Sequence, residues 1–539
     1  MTTEKFRELK NHQATMVQDR NKYEDVFKDI SRYVLPLRYN WDNENEESDS
    51  DRPVIYDSTA VDANSILADG YQGYLVNPRS PWLNLKFEDP SIDRLAKAEA
   101  WTTMAEDRMY RIFSRSNFYS ALGMVLLDGA LGTAVMYTER HDKTIVNFIP
   151  QHLKGIYIAQ NRSGDIDTVF HRMRLSSRDL LTTYPDTIPS NKKRDYEKNP
   201  FDKVTVWRAV LPNSDRVLRS LGPRGMAFSS ITYLEDMDAP LKEGGYKRMP
   251  YDIWRPLVST GEAYGKSPAW YALGDIKRLN MVQKDLLELA SLTVKPPLNV
   301  PSEQLESANV TPWGMNPYSD PSRQIFPMQL GGNFPYGAEE LAMLKKQVQS
   351  YFKVEAFQLL SMMADKEYTA TQAAEMAGEK SAQLTSLTSR VTRFIDGMVE
   401  NTLLIGLDTG FIPMPPPELM KSGIKIDYVG PLTMDQERAF QTTGILRGLN
   451  QIAPFLEAKP DIWTLIKEKD VFRKILDGSG FPKNLLRNKQ EVKAIEEEQA
   501  RQQEEMRQSQ LQKEGAQAYK DGTWHPEKGS ISEKAVGNP

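Results

Sequence analysis

The stretch Gly261-Glu-Ala-Tyr-Gly265-Lys266-Ser267 is the strongest candidate in the chain for bond-making chemistry. It follows a strand-like run, Ile253–Val258, and opens a helix. That is the context in which a glycine-rich loop turns its backbone N–H groups onto a phosphate. The motif needs about four residues between its glycines, and one is missing here. Loop length sets where the amides point, so the fault is serious. No apolar strand ending in an acidic pair for magnesium follows, and Ile424-Lys-Ile-Asp427 is a poor substitute. The residues read instead as a glycine turn feeding a Ser-Pro helix start. A cytosolic nucleotide-binding enzyme using residues 261–267 stays as the rival. The five histidines do not pair at metal-ligand spacings, and His171, on an alternating strand, reads as structural. With no cysteine, disulfides and thiolate zinc sites are excluded. No catalytic residue, metal site or cofactor is expected.

The other chemistry on offer is electrostatic. Lys277, Arg278, Lys284, Lys345, Lys346 and Lys353 lie on two predicted helices, and Lys192-Lys193-Arg194 forms a further cluster. Each alone reads as a solvated face. The net charge of −5 is unlike a protein that grips nucleic acid, which is usually basic overall. A DNA partner would meet local basic patches or pass through without being held.

The elements that must position these residues are legible. Ser267-Pro268 starts a helix, because proline fits the first helical position. Leu273, Ile276, Leu279, Val282, Leu286 and Leu289 continue it at three- and four-residue steps until Lys295-Pro296-Pro297. A second helix is predicted after Gly337, with Leu341, Leu344, Val348 and Phe352 as its stripe. Residues 294–337 carry eight prolines together with Trp313, Tyr318, Ile325, Phe326, Phe334 and Tyr336, which suggests a small folded module between the helices. Residues 4–34 read as one long helix whose stripe is broken by Gln13 and Arg20, packed on its own domain. Helices are predicted near 59–76, 92–113 and 117–130. From about 133 to 258 the period falls to two, marking short strands, with 185–202 as a polar loop. Thr369 and Gln372 match a capping box for a long helix running to about Leu407, and a strand follows at Ile424–Val429. Residues 434–487 read as a small helical domain, and 515–539 as disordered. The fold class is α+β, mainly helical. No apolar run spans a bilayer, since the best, Gly123–Tyr137, contains Asp128, and the polar N-terminus does not read as a signal peptide.

In this order the pieces resemble a family, the portal or head-to-tail connector proteins of short-tailed tailed phages, over residues 5–500. The marks are Asp57-Ser58-Thr59 leading through a small-residue helix to Pro81-Trp82, and Glu262–Pro268 before the first long helix. Tyr368–Glu375 opens the second, Gly410–Pro413 precedes Ile424–Leu432, and a Gln/Glu-rich helix ends the chain. The resemblance implies a structural protein rather than an enzyme, a ring typically of twelve subunits at one capsid vertex, in the virion at the head–tail junction. The ring would assemble in the bacterial cytoplasm, with no membrane. It implies a wing at 1–266 and 369–433, stem helices at 267–293 and 338–361, and a clip at 294–337. A tunnel loop falls at 362–368, a crown at 434–500, and a helix end and flexible tail at 501–539. Double-stranded DNA would pass Lys277, Arg278, Lys284, Lys345, Lys346, Lys353 and Lys366, with Met362, Met363, Asp365, Lys366 and Glu367 in the tunnel loop. Trp313, Tyr318 and Arg323 would dock the terminase large subunit and tail adaptor or nozzle proteins. Capsid and scaffolding proteins are further partners. Another structural virion protein, such as a tail component, is the third reading.

Overall fold

The computed structural model describes residues 2–428 except 39–40, 42–53, 80, 94, 218–219, 221, most of 301–333, and 358–369. Beyond 428 it describes isolated positions, most of them between 498 and 513, and of 334–336 and 370–388 it describes the backbone alone. The acidic stretch 42–51, Thr369 of the capping box and nearly all of 434–487 therefore lie outside the described residues. Residues 1–436 form one compact unit, and 437–539 a second. The described strands all lie in the first.

Two helices stand where one was expected, α1 (Thr3–Asn21) and α2 (Glu24–Val34). The apolar stripe feeds two separate cores, and the chain breaks between them. Phe6, Leu9 and Met16 pack against Tyr157, Phe170, Trp207 and Tyr233, whereas Phe27, Ile30 and Val34 enter the main core. The polar interruptions of the stripe are contacts. Gln13 accepts from the Tyr233 hydroxyl at 2.9 Å. Arg20 is fully buried. It donates to the Lys154 and Ile156 carbonyls at 2.9 Å each, pairs with Glu24 at 3.0 Å, and stacks over the Tyr157 ring.

The main core gathers α3 (Thr59–Leu75), α4 (Pro90–Asp93), α5 (Ala96–Arg115) and α6 (Phe118–Asp128), with β1 (Leu83–Phe87) between the first two. Of these, α6 packs on an antiparallel sheet of order β3-β2-β9, where β2 is Ala134–His141, β3 is Ile145–Gln151 and β9 is Tyr251–Trp254. Its register sets Tyr137 between Ile149 and Tyr251. A second antiparallel sheet runs β4 (Ile156–Gln160), β5 (Ile166–Ser176), β6 (Lys203–Pro212), β7 (Phe228–Leu234), β8 (Pro240–Tyr246) in sequence order. The helix α7 (Ser177–Thr183) packs Leu180 and Tyr184 with Val206, Leu234 and Leu241 of this sheet. Residues 185–202 are not all loop. The polar run Ser190–Lys198 forms α8, because its Lys, Arg and Glu are good helix formers that need no apolar stripe.

Helix α9 runs Pro268–Val294 and packs against α10 (Phe334–Tyr351). The second of these starts at Phe334, before the expected Ala338, because Pro335 is tolerated in a first turn. The connection is closed at its base by a two-residue ladder, β10 (Leu298–Asn299) on β11 (Phe326–Pro327). After 369 the chain forms α11 (Ala370–Asp408), whose Val391, Phe394, Ile395, Met398 and Val399 are buried in the main core. Strand β12 (Ile424–Tyr428) then pairs antiparallel with β1, Leu83 opposite Tyr428. The α+β class is as expected. No described helix is long and apolar enough to cross a membrane.

Candidate functional site

The glycine loop is spent on its own scaffold. The Leu257 and Lys266 N–H groups each donate to the other's carbonyl, and Glu262 N–H bonds to the Ser259 carbonyl. Gly265 N–H is taken by Thr133 Oγ1 at 3.0 Å, and the Lys266 ammonium pairs with Glu262 at 2.9 Å. Gly261 holds the left-handed turn at φ +83°. Ser267 is buried, and its hydroxyl donates to the Ala130 carbonyl instead of capping α9. The Glu262, Gly265 and Lys266 amides and the Ser267 hydroxyl are thus engaged within the scaffold rather than left for a phosphate. His171 is structural as expected. Its Nδ1 lies 3.1 Å from the Tyr251 hydroxyl, and burial together with the nearby Arg208 cation pushes its pKa down to about 3. Among the described residues no cluster could hold a metal ion.

The basic residues of the hairpin divide into two sets. Lys277 reaches Asp29 on α2 at 2.5 Å, and Arg278 pairs with Glu340 across the hairpin. Lys284 lies 3.6 Å from Glu288 one turn on, and Lys345 reaches Asp57 at 2.9 Å. The Lys277, Arg278 and Lys345 pairs fasten the hairpin to itself and to the body, whereas the Lys284 contact stays within α9. Lys346 and Lys353 are exposed and have no ion pair among the described residues. Relative to the buried Leu344 and Val348, Lys346 falls on the opposite face of α10. Lys353 adopts a left-handed backbone, φ +56°, in the turn after the helix. Lys366, Met362, Met363, Asp365 and Glu367 lie outside the described residues, as do Trp313, Tyr318 and Arg323.

Two anchors of the hairpin escaped sequence reasoning. The first is Asp57, whose side chain is 4% exposed. It accepts from Thr59 N–H at 2.9 Å at the start of α3 and from Lys345 of α10. Burial works to raise its pKa, but the bonds from Thr59 and Lys345 prevail and hold it below the usual value. Asn280, buried on α9, accepts from the Tyr56 and Asp57 N–H groups at 3.1 and 3.3 Å and donates to the Ile276 carbonyl. The segment before α3 is thus tied to both hairpin helices. An Asn on the buried stripe of α9 was the available signal, since a buried amide needs partners. The second anchor is Phe357, in the helical turn 354–357 that follows α10. Its ring packs so closely over Gly70 of α3 that a Cβ there would overlap it, with Tyr71 edge-on at 5.9 Å.

Away from these anchors the hairpin is poorly covered. No residue of α9 beyond Asn280 is buried, nor is any described residue of α10 before Leu344. Met281, Leu287, Val294 and Met343 are each at least half exposed, Val294 reaching 77%.

The sequence of this chain matches the family described as bacteriophage head to tail connecting protein over residues 7–486. It is 24% identical over 514 residues to the probable portal protein of Bordetella phage BPP-1, covering 92% of each chain. It is likewise 24% identical over 523 residues to the portal protein of Salmonella phage epsilon15, covering 93% of this chain and 92% of that one. Against the portal protein of Enterobacteria phage T3 the identity is 22% over 298 residues, about half of each chain. A family match from α1 to past β12 takes in the hairpin, its anchors and both sheets together, and the chain belongs to the family of bacteriophage head-to-tail connecting proteins.

Proposed function

We propose that copies of this chain close a ring, typically of twelve, at one vertex of a phage head, and that double-stranded DNA passes through it during packaging and ejection. The observation that carries the reading is the hairpin α9–α10, whose outer half leaves an apolar surface that a single chain does not bury. A neighbouring copy would cover it, and a closed ring repeats that contact without an open end. In this reading 267–293 and 338–361 are the stem and 294–337 the clip that docks the terminase large subunit and tail proteins. The tunnel loop is 362–368, the wing 1–266 with 369–433, the crown 434–500, and 501–539 the tail. The inward-bonded loop at 257–267 argues against a nucleotide-hydrolysing enzyme.

Within this reading, the ion pairs of the hairpin suggest which cations would face DNA. Lys277, Arg278, Lys284 and Lys345 have carboxylate partners, so among the described channel candidates Lys346 and Lys353 are the ones without an ion pair. One unpaired lysine per subunit becomes a ring of positive charge, and phosphate contacts of that kind are independent of sequence and weakened by salt. DNA would be guided without being trapped. Replacing Lys346 and Lys353 together by Gln should lower packaging and flatten its salt dependence while rings still form. If packaging and its salt dependence are both unchanged, these lysines do not line the channel.

A further inference from the structure

The long helix α11 is fixed to the β3-β2-β9 sheet by a buried carboxyl group that the channel reading leaves unused. Asp252 of β9 sits under the helix at Gly397, where a Cβ would overlap its Oδ1. This explains a glycine in a helix interior, a position that otherwise favours alanine. Asp252 Oδ2 accepts from Asn401 Nδ2 of α11 at 3.0 Å and lies 3.5 Å from Thr138 Oγ1 of β2. Asn401 gives its other N–H to the Met249 carbonyl at 3.1 Å. Arg248 stands between two acids, 3.8 Å from Asp252 and 2.9 Å from Glu400 of α11, and also donates to the Gly397 carbonyl. Farther along α11, Arg390 donates to the Pro256 carbonyl and Asp408 pairs with Lys247 at 2.6 Å. Among the described residues, the charged groups acting on the carboxyl are one cation, Arg248, and one further anion, Glu400.

We propose that Asp252 is a proton-operated clasp, which seats α11 on the sheet when neutral and loosens it when ionised. Asp252 is 7% exposed and shares one guanidinium with the half-exposed Glu400, so its ionised form is buried with only part of a cation to balance it, and burial disfavours that state. Burial pushes the Asp252 pKa up to about 7, with Arg248, Asn401 and Thr138 opposing and Glu400 adding to the rise. The direction follows from linkage. The seated helix holds a proton that the opened, solvated carboxyl releases, so seating weakens as pH rises from the ordinary carboxylate range to the raised value. Above it the effect is flat. The helix concerned is the one that leads out of residues 358–369.

Hydrogen exchange of the full chain, read on peptides within 390–408 and corrected for the intrinsic pH dependence of exchange, tests this. With one proton linked, the opening constant should rise about tenfold between pH 6 and pH 8. Peptides within 268–280 of α9 should not follow. Asp252→Asn keeps the shape without the charge, and its exchange should be flat over the same range. Arg248→Gln removes the opposing cation and should move the rise to higher pH. A flat response in the unaltered chain, or the same rise in Asp252→Asn, overturns the proposal. If Asp252→Asn does not fold, an unmoved midpoint in Arg248→Gln overturns it equally.

Discussion

Removing Asp57 should weaken the tie between the hairpin and the body by a predictable amount. The carboxylate makes two bonds, one to Thr59 N–H and one to Lys345. Loss of a bond that caps a helix start costs about 1 kcal/mol. The ion pair has one nearly buried partner and one, Lys345, that is 41% exposed, so its share is screened to about 1 kcal/mol. Asp57→Ala should thus destabilise the chain by about 2 kcal/mol. Asp57→Asn keeps the cap and should lose about half of that. Lys345→Ala strands a buried carboxylate without its cation and should also cost 1 kcal/mol or more, roughly. Urea unfolding of the two single variants and the double variant gives a coupling energy, expected near 1 kcal/mol. The folded pKa of Asp57 is lowered, so its contribution is present above the unfolded carboxylate value and is lost as pH falls through the folded one. The coupling should therefore persist at pH 6 and vanish well below pH 4, on the order of the free carboxylate value. Strict additivity at neutral pH would refute the junction as a coupled unit.

Other outcomes follow from the same structure. Gly70→Ala should displace the Phe357 ring and cost about 1–3 kcal/mol by overpacking. Phe357→Ala should cost about 3–5 kcal/mol, and combining the two should recover part of the loss in urea unfolding. Purified protein should show no ATP hydrolysis; a clear rate abolished by Lys266→Ala would reinstate the glycine loop as a nucleotide site. Trp313→Ala with Tyr318→Ala should block terminase and tail-protein docking in a pull-down while rings still form, and loss of rings would make these residues intersubunit contacts.

What could be read from the sequence was local chemistry. Ser267-Pro268 marks the start of α9 because proline's missing N–H suits a first turn wherever the rest of the chain lies. Strand periodicity over 133–258 likewise needs only neighbouring residues. The division of α1 from α2 was hidden, because it depends on which core each turn enters. Helix α8 was missed because it has no apolar stripe to betray it. At the hairpin, residue types were legible but their engagements were not. Lys277 and Lys345 are legible as cations, but their pairing with Asp29 and Asp57, remote in sequence, is not. Asn280 shows the same limit, since the N–H groups it accepts from lie more than two hundred residues earlier.

Electron microscopy of the purified full chain tests the central claim most directly. The account predicts annular particles with a central channel, twelvefold in their class averages, and with the α9–α10 hairpins side by side around the channel. Monomers or open filaments at the concentrations where the protein is stable, or rings whose hairpins do not touch, would contradict it.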